Sequence, residues 1–332
     1  MRASERGEAI ARVRTGPHRG AQTQAGRTCL CRSGRHMSAV MKPLCFVGVV
    51  DDGYQEYLPL FACFALQAYP DAELILYHAG GPLRAEVREA LHALRDLGSI
   101  DARPLGHRYD PDEPQSLKSL RWVLYDDDFA GYENVYIGDV DMLIVRQEPS
   151  LCAARLRHSA AIERPYSNRV RPGTNLVAGI SHFVRAQEYF PRVLPRMLDY
   201  REQIGAGTLR IHNEELLYRL LQDTVGLPER PVALQTHHGI HLRALHRVRE
   251  LAVQRARTDY FFRIDFEPHL DGFLAVARAP RCADLLERLS RIESTPQLLA
   301  RYPKGGPAAT SQFRNVLSLC DDLLAERAQA TP

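Results

Sequence analysis

Residues 134–145, NVYIGDVDMLIV, constrain this chain more than any other stretch, because an apolar run is broken there by two carboxylates, Asp139 and Asp141. Runs rich in Val, Ile and Tyr read as buried strands. In an extended backbone, residues i and i+2 project to one side. At a strand end, where the chain bends, both carboxylates then reach a shared point. Two like charges that close repel each other unless a cation sits between them. A hard divalent ion, with positions left open for phosphate oxygens, meets that need. The plainer reading is a solvated strand-end turn. The other acidic cluster, Asp126, Asp127 and Asp128, falls between a helix end and a loop and reads as solvated.

The surrounding chain alternates strand and helix signals. Residues 44–50 form a continuous apolar run suited to a buried parallel strand, followed by a turn at 51–54 and a helix to about residue 69. A second strand is expected over 73–77, and an amphipathic helix over 84–97 after the break Gly80, Gly81, Pro82. A short strand follows over 99–105, and a helix over 116–125 leads into the aspartate-bearing strand. Downstream, the pattern suggests a short helix over 149–156, a strand over 160–162 and a loop over 164–174. Next come a strand over 175–181, a kinked helix over 186–203 containing Pro191 and Pro195, and a helix over 213–222. A strand over 232–236 leads into the histidine-rich stretch, and the last eighty residues are mostly helical. This is an α/β fold with a parallel or mixed sheet covered on both faces. Ligands bind such sheets at the carboxyl ends of the strands, where Asp51 and Asp139 both fall.

Composition excludes several classes. At 332 residues, 45% hydrophobic and 25% charged, the chain is an ordinary globular protein. No run approaches the roughly 20 apolar residues of a membrane span, and the N-terminus lacks an apolar segment of the secretory kind. Seven cysteines, an odd count without zinc-ligand spacing, fit a reducing cytoplasm. Peripheral contact with the inner face of a membrane stays open. The formal charge of +3 is misleading, because eight arginines against Glu5 and Glu8 give residues 1–40 a net +6. The remainder carries about −3, which offers nucleic acid nothing. The expected organisation is a disordered Arg-rich extension over 1–40, a main α/β domain over 41–250 and a helical extension over 251–332 packed on it.

Two further groups bear chemistry. His237, His238 and His241 fall within five residues at a strand end. His237 and His241 are the favoured ligands; with Asp139 and Asp141 they compose a site for Mn²⁺ or Mg²⁺. Gly239 between them lets the backbone pass close to a phosphate. At the end of the first strand, Val50, Asp51, Asp52 and Tyr54 can hold a nucleoside. A carboxylate and backbone groups would read the base edge while the tyrosine stacks on it.

Taken in order, these motifs resemble the GT-A nucleotide-sugar glycosyltransferases, and in particular glycosyltransferase family 8. Asp51-Asp-Gly-Tyr54 resembles the family's uridine-holding turn, and Lys118-Ser-Leu-Arg-Trp122 its cationic helix. Tyr136-Ile-Gly-Asp-Val-Asp-Met-Leu143 is similar to its metal-binding strand, and Asn175-Leu-Val-Ala-Gly179 to its Asn-x-Gly strand. Asn213-Glu-Glu-Leu-Leu-Tyr218 is similar to its Asp-Gln helix start, and His237-His-Gly-Ile-His-Leu242 to its late histidine loop. The likeness covers residues 44–245. The departures are the missing Lys-Pro-Trp of that loop, Val177 in place of a sugar-touching asparagine, and Glu214 in place of glutamine. The resemblance implies a GT-A, Rossmann-like fold with a mixed central sheet flanked by helices, and a metal-dependent transfer, with retention of anomeric configuration, from a UDP-sugar to a glycan or lipid-linked acceptor. It implies that Asp139 and Asp141 hold the ion against the diphosphate, with Lys118 or Arg121 adding a cation. Arg164, Arg169 and Arg171 would close over the phosphates, and Glu214 would stabilise the oxocarbenium-like transition state or orient the acceptor. Two alternatives stand beside it: a nucleotide-sugar or glycan binder without catalysis, and a haloacid-dehalogenase-type phosphatase, which also uses Asp-x-Asp after an apolar strand.

Overall fold

Alternation along the first strand sorts its side chains between two cores. In β1 (Lys42–Val50), Leu44 and Phe46 enter one buried cluster while Cys45 and Val47 enter the other. β4 (Tyr132–Gly138) repeats the pattern, with Tyr136 on the first side and Val135 and Ile137 on the second. A strand apolar on both faces must lie inside a sheet covered on both sides, and this one does. The computed structural model describes residues 41–106, 114–234, 238–242 and 269–290, together with Ser318, Asp321, Asp322 and Ala325. The expectations for residues 1–40, for His237 and for a domain boundary at residue 250 lie outside the described residues.

The main sheet has six strands in the order β3-β2-β1-β4-β7-β6. They are β1, β2 (Glu73–His78), β3 (Ile100–Pro104), β4, β6 (Tyr166–Ser167) and β7 (Ser181–Arg185). β1 pairs in parallel with β2 and β4, and β2 with β3, whereas β7 runs antiparallel to both β4 and β6. A second sheet joins β5 (Met142–Ile144) to β8 (Gly239–His241), antiparallel. One face is covered by α1 (Tyr57–Ala68), α2 (Ala85–Ala93), α7 (Leu270–Ala277) and α8 (Pro280–Ser290), whose apolar residues share the cluster of Phe46 and Tyr136. α1 buries eleven of its twelve residues, the mark of a helix enclosed on all sides. The other face is covered by α5 (Ala186–Gly205) and α6 (Asn213–Thr224). The described residues also form α3 (Pro114–Leu120), continued by a 3₁₀ turn over Arg121–Val123, a second 3₁₀ turn over Asp127–Gly131, and α4 (Leu151–Ala161). The architecture is the mixed α/β sheet flanked by helices expected from the sequence. Among the described residues no helix is long and apolar enough to cross a membrane.

Four local expectations fail, each for a backbone reason. The run over 134–145 is two strands in two sheets, because the Asp139 amide donates to the Ile180 carbonyl (2.9 Å) and the Met142 amide to the Asp139 carbonyl (3.3 Å). Those bonds close a turn between β4 and β5 and place the carboxylates on it. Residues 160–162 end α4, where the Ile162 amide still donates to the His158 carbonyl. Residues 175–180 carry only the isolated bridge Val170–Val177, since the Val177 amide donates to the Glu214 carbonyl (3.2 Å); pairing with β4 begins at Ser181. Residues 231–234 are irregular, next to Pro228 and Pro231, whose missing amides suit neither ladder nor helix; the rest of the strand expected over 232–236 lies outside the described residues.

Candidate functional site

Asp139, Asp141 and His241 converge from the β4–β5 turn and from β8. Their ligating atoms all lie within 4.8 Å of one another. The antiparallel register sets His241 opposite Met142, and the Leu242 amide donates to the Asp141 carbonyl at 2.8 Å. His241 Nε2 stands 3.6 Å from the Asp141 carboxylate. Asp139 is half-buried, whereas Asp141 is 5% exposed. Burial holds the Asp141 carboxyl above the usual carboxylate range, with the Asp139 charge adding to the effect and His241 opposing it. Burial and the Asp141 charge likewise push the nearby Tyr57 hydroxyl up. A buried carboxylate next to a second one calls for a proton or a cation. Two carboxylates and an imidazole form a donor set suited to Mn²⁺ or Mg²⁺.

The triad opens onto a cavity of about 530 Å³ at the carboxyl ends of β1 and β4, the position favoured for ligands in such sheets. β1 and the turn after it supply Val50, Asp51 and Tyr54; the Asp51 carboxylate accepts from the Gly53 amide at 2.9 Å. Lys118 on α3 and Arg121 on the 3₁₀ turn, three residues apart, both face in. Arg121 pairs with the Asp139 carboxylate, donates to the Gly179 carbonyl (2.7 Å) and stacks over Trp122. On the far wall, Glu214 Oε1 accepts from the Gly179 amide (3.0 Å) and from Arg171 (2.5 Å). Lys118, Arg121 and Arg171 oppose Asp51, Asp139, Asp141 and Glu214, a formal −1 with neutral histidines. A divalent ion reverses that sign, leaving the lining matched to a polyanion such as a diphosphate.

Of the residues singled out in the sequence, Val50, Asp51, Tyr54, Lys118, Arg121, Asp139, Asp141, Glu214 and His241 line this one cavity. Asp52 does not: its carboxylate lies against Gly80, within 2.8 Å of where a Cβ would stand, and its carbonyl accepts from Gln55. Nor does Gly239, whose small size serves strand contact, since a Cβ there would fall 1.9 Å from the Leu143 carbonyl oxygen. His238 points into the interior and bonds Tyr136. Of the loop arginines only Arg171 reaches the cavity, while Arg164 is bound to the Leu227 carbonyl (2.8 Å). Asp126 and Asp128 are held by Arg103, away from the cavity. Burial works against the Asp126 carboxylate, but bonds from Tyr77, the Asp128 amide and Arg103 outweigh it and lower its pKa. Sequence reasoning missed His212, whose ring caps α6 and lines the cavity, and the apolar walls Leu117, Leu176 and Ile180. Nothing in their local pattern distinguishes them from packing residues.

No protein-family model matches the chain, and no curated protein sequence does. Among solved structures the chain is similar to the glycosyltransferase GlyE of Streptococcus pneumoniae TIGR4, at 9% identity and a TM-score of 0.43, over 81% of this chain and 66% of that one. It is also similar to an active-site mutant of LgtC, at 14% identity and a TM-score of 0.41, over 77% of this chain and 99% of that one. A third likeness is to the mannosyltransferase PcManGT of Pyrobaculum calidifontis, solved with GDP-Man and Mn²⁺, at 14% identity and a TM-score of 0.35, over 82% and 84%.

Proposed function

We propose that this chain is a metal-dependent glycosyltransferase, taking a sugar from a nucleoside diphosphate and passing it to a glycan or lipid-linked acceptor. The observation that carries the reading is the Asp139–Asp141–His241 triad opening onto a cavity with three cations in its walls. By the motif resemblance, the donor is a UDP-sugar and the catalytic unit spans residues 41–250.

Asp139, Asp141 and His241 would hold Mn²⁺ or Mg²⁺. Once bound, the ion acts as a Lewis acid that neutralises charge developing on the leaving diphosphate. Lys118, on the wall of the same cavity, offers an ammonium to the phosphates. Asp51 and Tyr54 border the end where a base can stack on the tyrosine and bond the strand terminus. Glu214 already spends Oε1 on the Gly179 amide and Arg171. Those bonds fix its carboxylate against the cavity, where it balances positive charge on the anomeric carbon or orients the acceptor.

The test is a panel of UDP- and GDP-sugars, assayed for Mn²⁺-dependent thermal stabilisation and then for Mn²⁺-dependent release of the nucleoside diphosphate. Stabilisation with release supports the transferase. Stabilisation without release, across varied acceptors, favours a non-catalytic nucleotide-sugar binder. No response to any nucleotide refutes both.

A further inference from the structure

His241 sits on a three-residue strand, β8, that belongs to the small second sheet. Asp139 follows β4, a central strand of the main sheet. Something must therefore fix one sheet against the other if the triad is to hold its shape. We propose that His238, through Tyr136 and Arg155, is the positioning residue that sets where His241 stands. This inference rests on reading the triad as a metal site.

The contacts form a buried chain across both sheets. His238 Nε2 lies 2.5 Å from the Tyr136 hydroxyl on β4, and Nδ1 lies 3.2 Å from Arg155 Nη2 on α4. Arg155 also donates to the Ser181 hydroxyl (2.9 Å), at the start of β7. A guanidinium can only donate, so Nδ1 accepts and the imidazole proton sits on Nε2, pointing at Tyr136. On the backbone, the His238 carbonyl accepts from the Val145 amide (3.1 Å), which closes the β5–β8 ladder at its other end. One residue is thus bonded to β4, to α4 and to Val145, the residue that follows β5.

The surroundings leave this arrangement little freedom. His238, Tyr136 and Arg155 are each no more than 2% exposed. A Cβ at Gly138 would stand 2.4 Å from the Tyr136 ring, so only glycine lets that side chain lie along the strand towards His238. Gly239 is likewise confined by the Leu143 carbonyl. Burial lowers the Arg155 pKa to about 10, and a buried polar chain of this kind holds its geometry only while each member keeps its partner.

The test titrates Mn²⁺, and Co²⁺ for its visible absorption, into the full chain as wild type, His241→Ala, His238→Phe, His238→Gln and Tyr136→Phe. Outer partners that orient a ligand typically change metal affinity by about 10–100-fold. The expected result is a loss of that order in His238→Phe and Tyr136→Phe, with the Co²⁺ spectrum moving towards that of His241→Ala. His238→Gln, which keeps a donor and an acceptor, recovers part of the affinity. If His238→Phe does not fold, Tyr136→Phe, lacking a single oxygen, decides alone. Tyr136→Phe binding Co²⁺ with wild-type affinity and spectrum overturns the positioning role and leaves the triad standing. A wild type that binds neither metal, or a His241→Ala that binds like wild type, overturns the triad and the positioning role together.

Discussion

Asp141→Asn should make the metal-free protein more stable and the metal-loaded protein less so, reversing the order of the two chains. The ligating atoms of Asp139 and Asp141 lie within 4.8 Å, where two unit charges repel by roughly 3.5 kcal/mol at an effective dielectric constant of about 20. Arg121 on Asp139 and His241 near Asp141 offset part of this. A net gain of about 1–2 kcal/mol remains for removing the charge while keeping the shape, since pairs open to solvent are screened. For a domain of this size that is a rise in melting temperature of about 2–6 °C in chelator. The burial that raises the Asp141 pKa acts in the same direction. With folded pKa above unfolded, wild-type stability falls as pH rises from the unfolded value through the folded one, and the variant lacks that slope. Adding Mn²⁺ at about a hundred times its Kd stabilises the wild type by about 2.7 kcal/mol, enough to place it above the variant. Calorimetry of both chains, with chelator and with Mn²⁺, reads all four numbers. A variant that melts below wild type in chelator and gains as much from Mn²⁺ refutes the reasoning.

Three other predictions follow from separate parts of the structure. Burial, helped by Arg155, lowers the His182 pKa from 6.5 to about 3, so the unfolded chain binds a proton there that the folded one refuses. Stability should fall as pH drops from 6.5 towards 3, by about 2 kcal/mol between pH 6.5 and 5 from this group; urea unfolding of His182→Gln should show a shallower slope, and an unchanged slope contradicts the assignment. Gly239→Ala should cost about 1–3 kcal/mol, as overpacking does, and weaken Mn²⁺ binding by opening the β5–β8 ladder; a variant with unaltered melting and metal affinity would show that the ladder yields. Arg171→Ala removes a pair whose arginine is 45% exposed, so stability should move by less than about 1 kcal/mol while turnover with a nucleotide-sugar falls tenfold or more. A large loss of stability with intact turnover would make the pair structural.

The fold was legible where the apolar period was strong. The runs at β1, β2 and β4 have side chains buried on both faces, and only a covered sheet can use such strands. What local sequence could not show was where each backbone group finds its partner. Ile180 takes the Asp139 amide and the Asp139 carbonyl takes the Met142 amide, and together these turn one apparent strand into two. The candidate site was legible to the extent that its residues are charged or aromatic and end a strand. Asp51, Asp139 and Asp141 show themselves in that way, and Glu214 as a carboxylate in the first turn of a helix. Asp52 carries the same kind of signal, and Gly239 stands among the histidines, yet they serve packing against Gly80 and Leu143 respectively. His212, Leu176 and Ile180 reach the cavity only because of tertiary placement. Arg155 is one arginine among many in the sequence, and nothing but the fold reveals that it is buried beside His238.

The central claim is that Asp139 and Asp141 hold a cation against a nucleoside diphosphate. Titration calorimetry of UDP into wild type and into the Asp139→Ala, Asp141→Ala double variant, with and without Mn²⁺, addresses it most directly. The account predicts Mn²⁺-dependent binding by wild type, and loss of the Mn²⁺ dependence in the double variant while its fold is retained. UDP binding that stays Mn²⁺-dependent and undiminished in the double variant would contradict it.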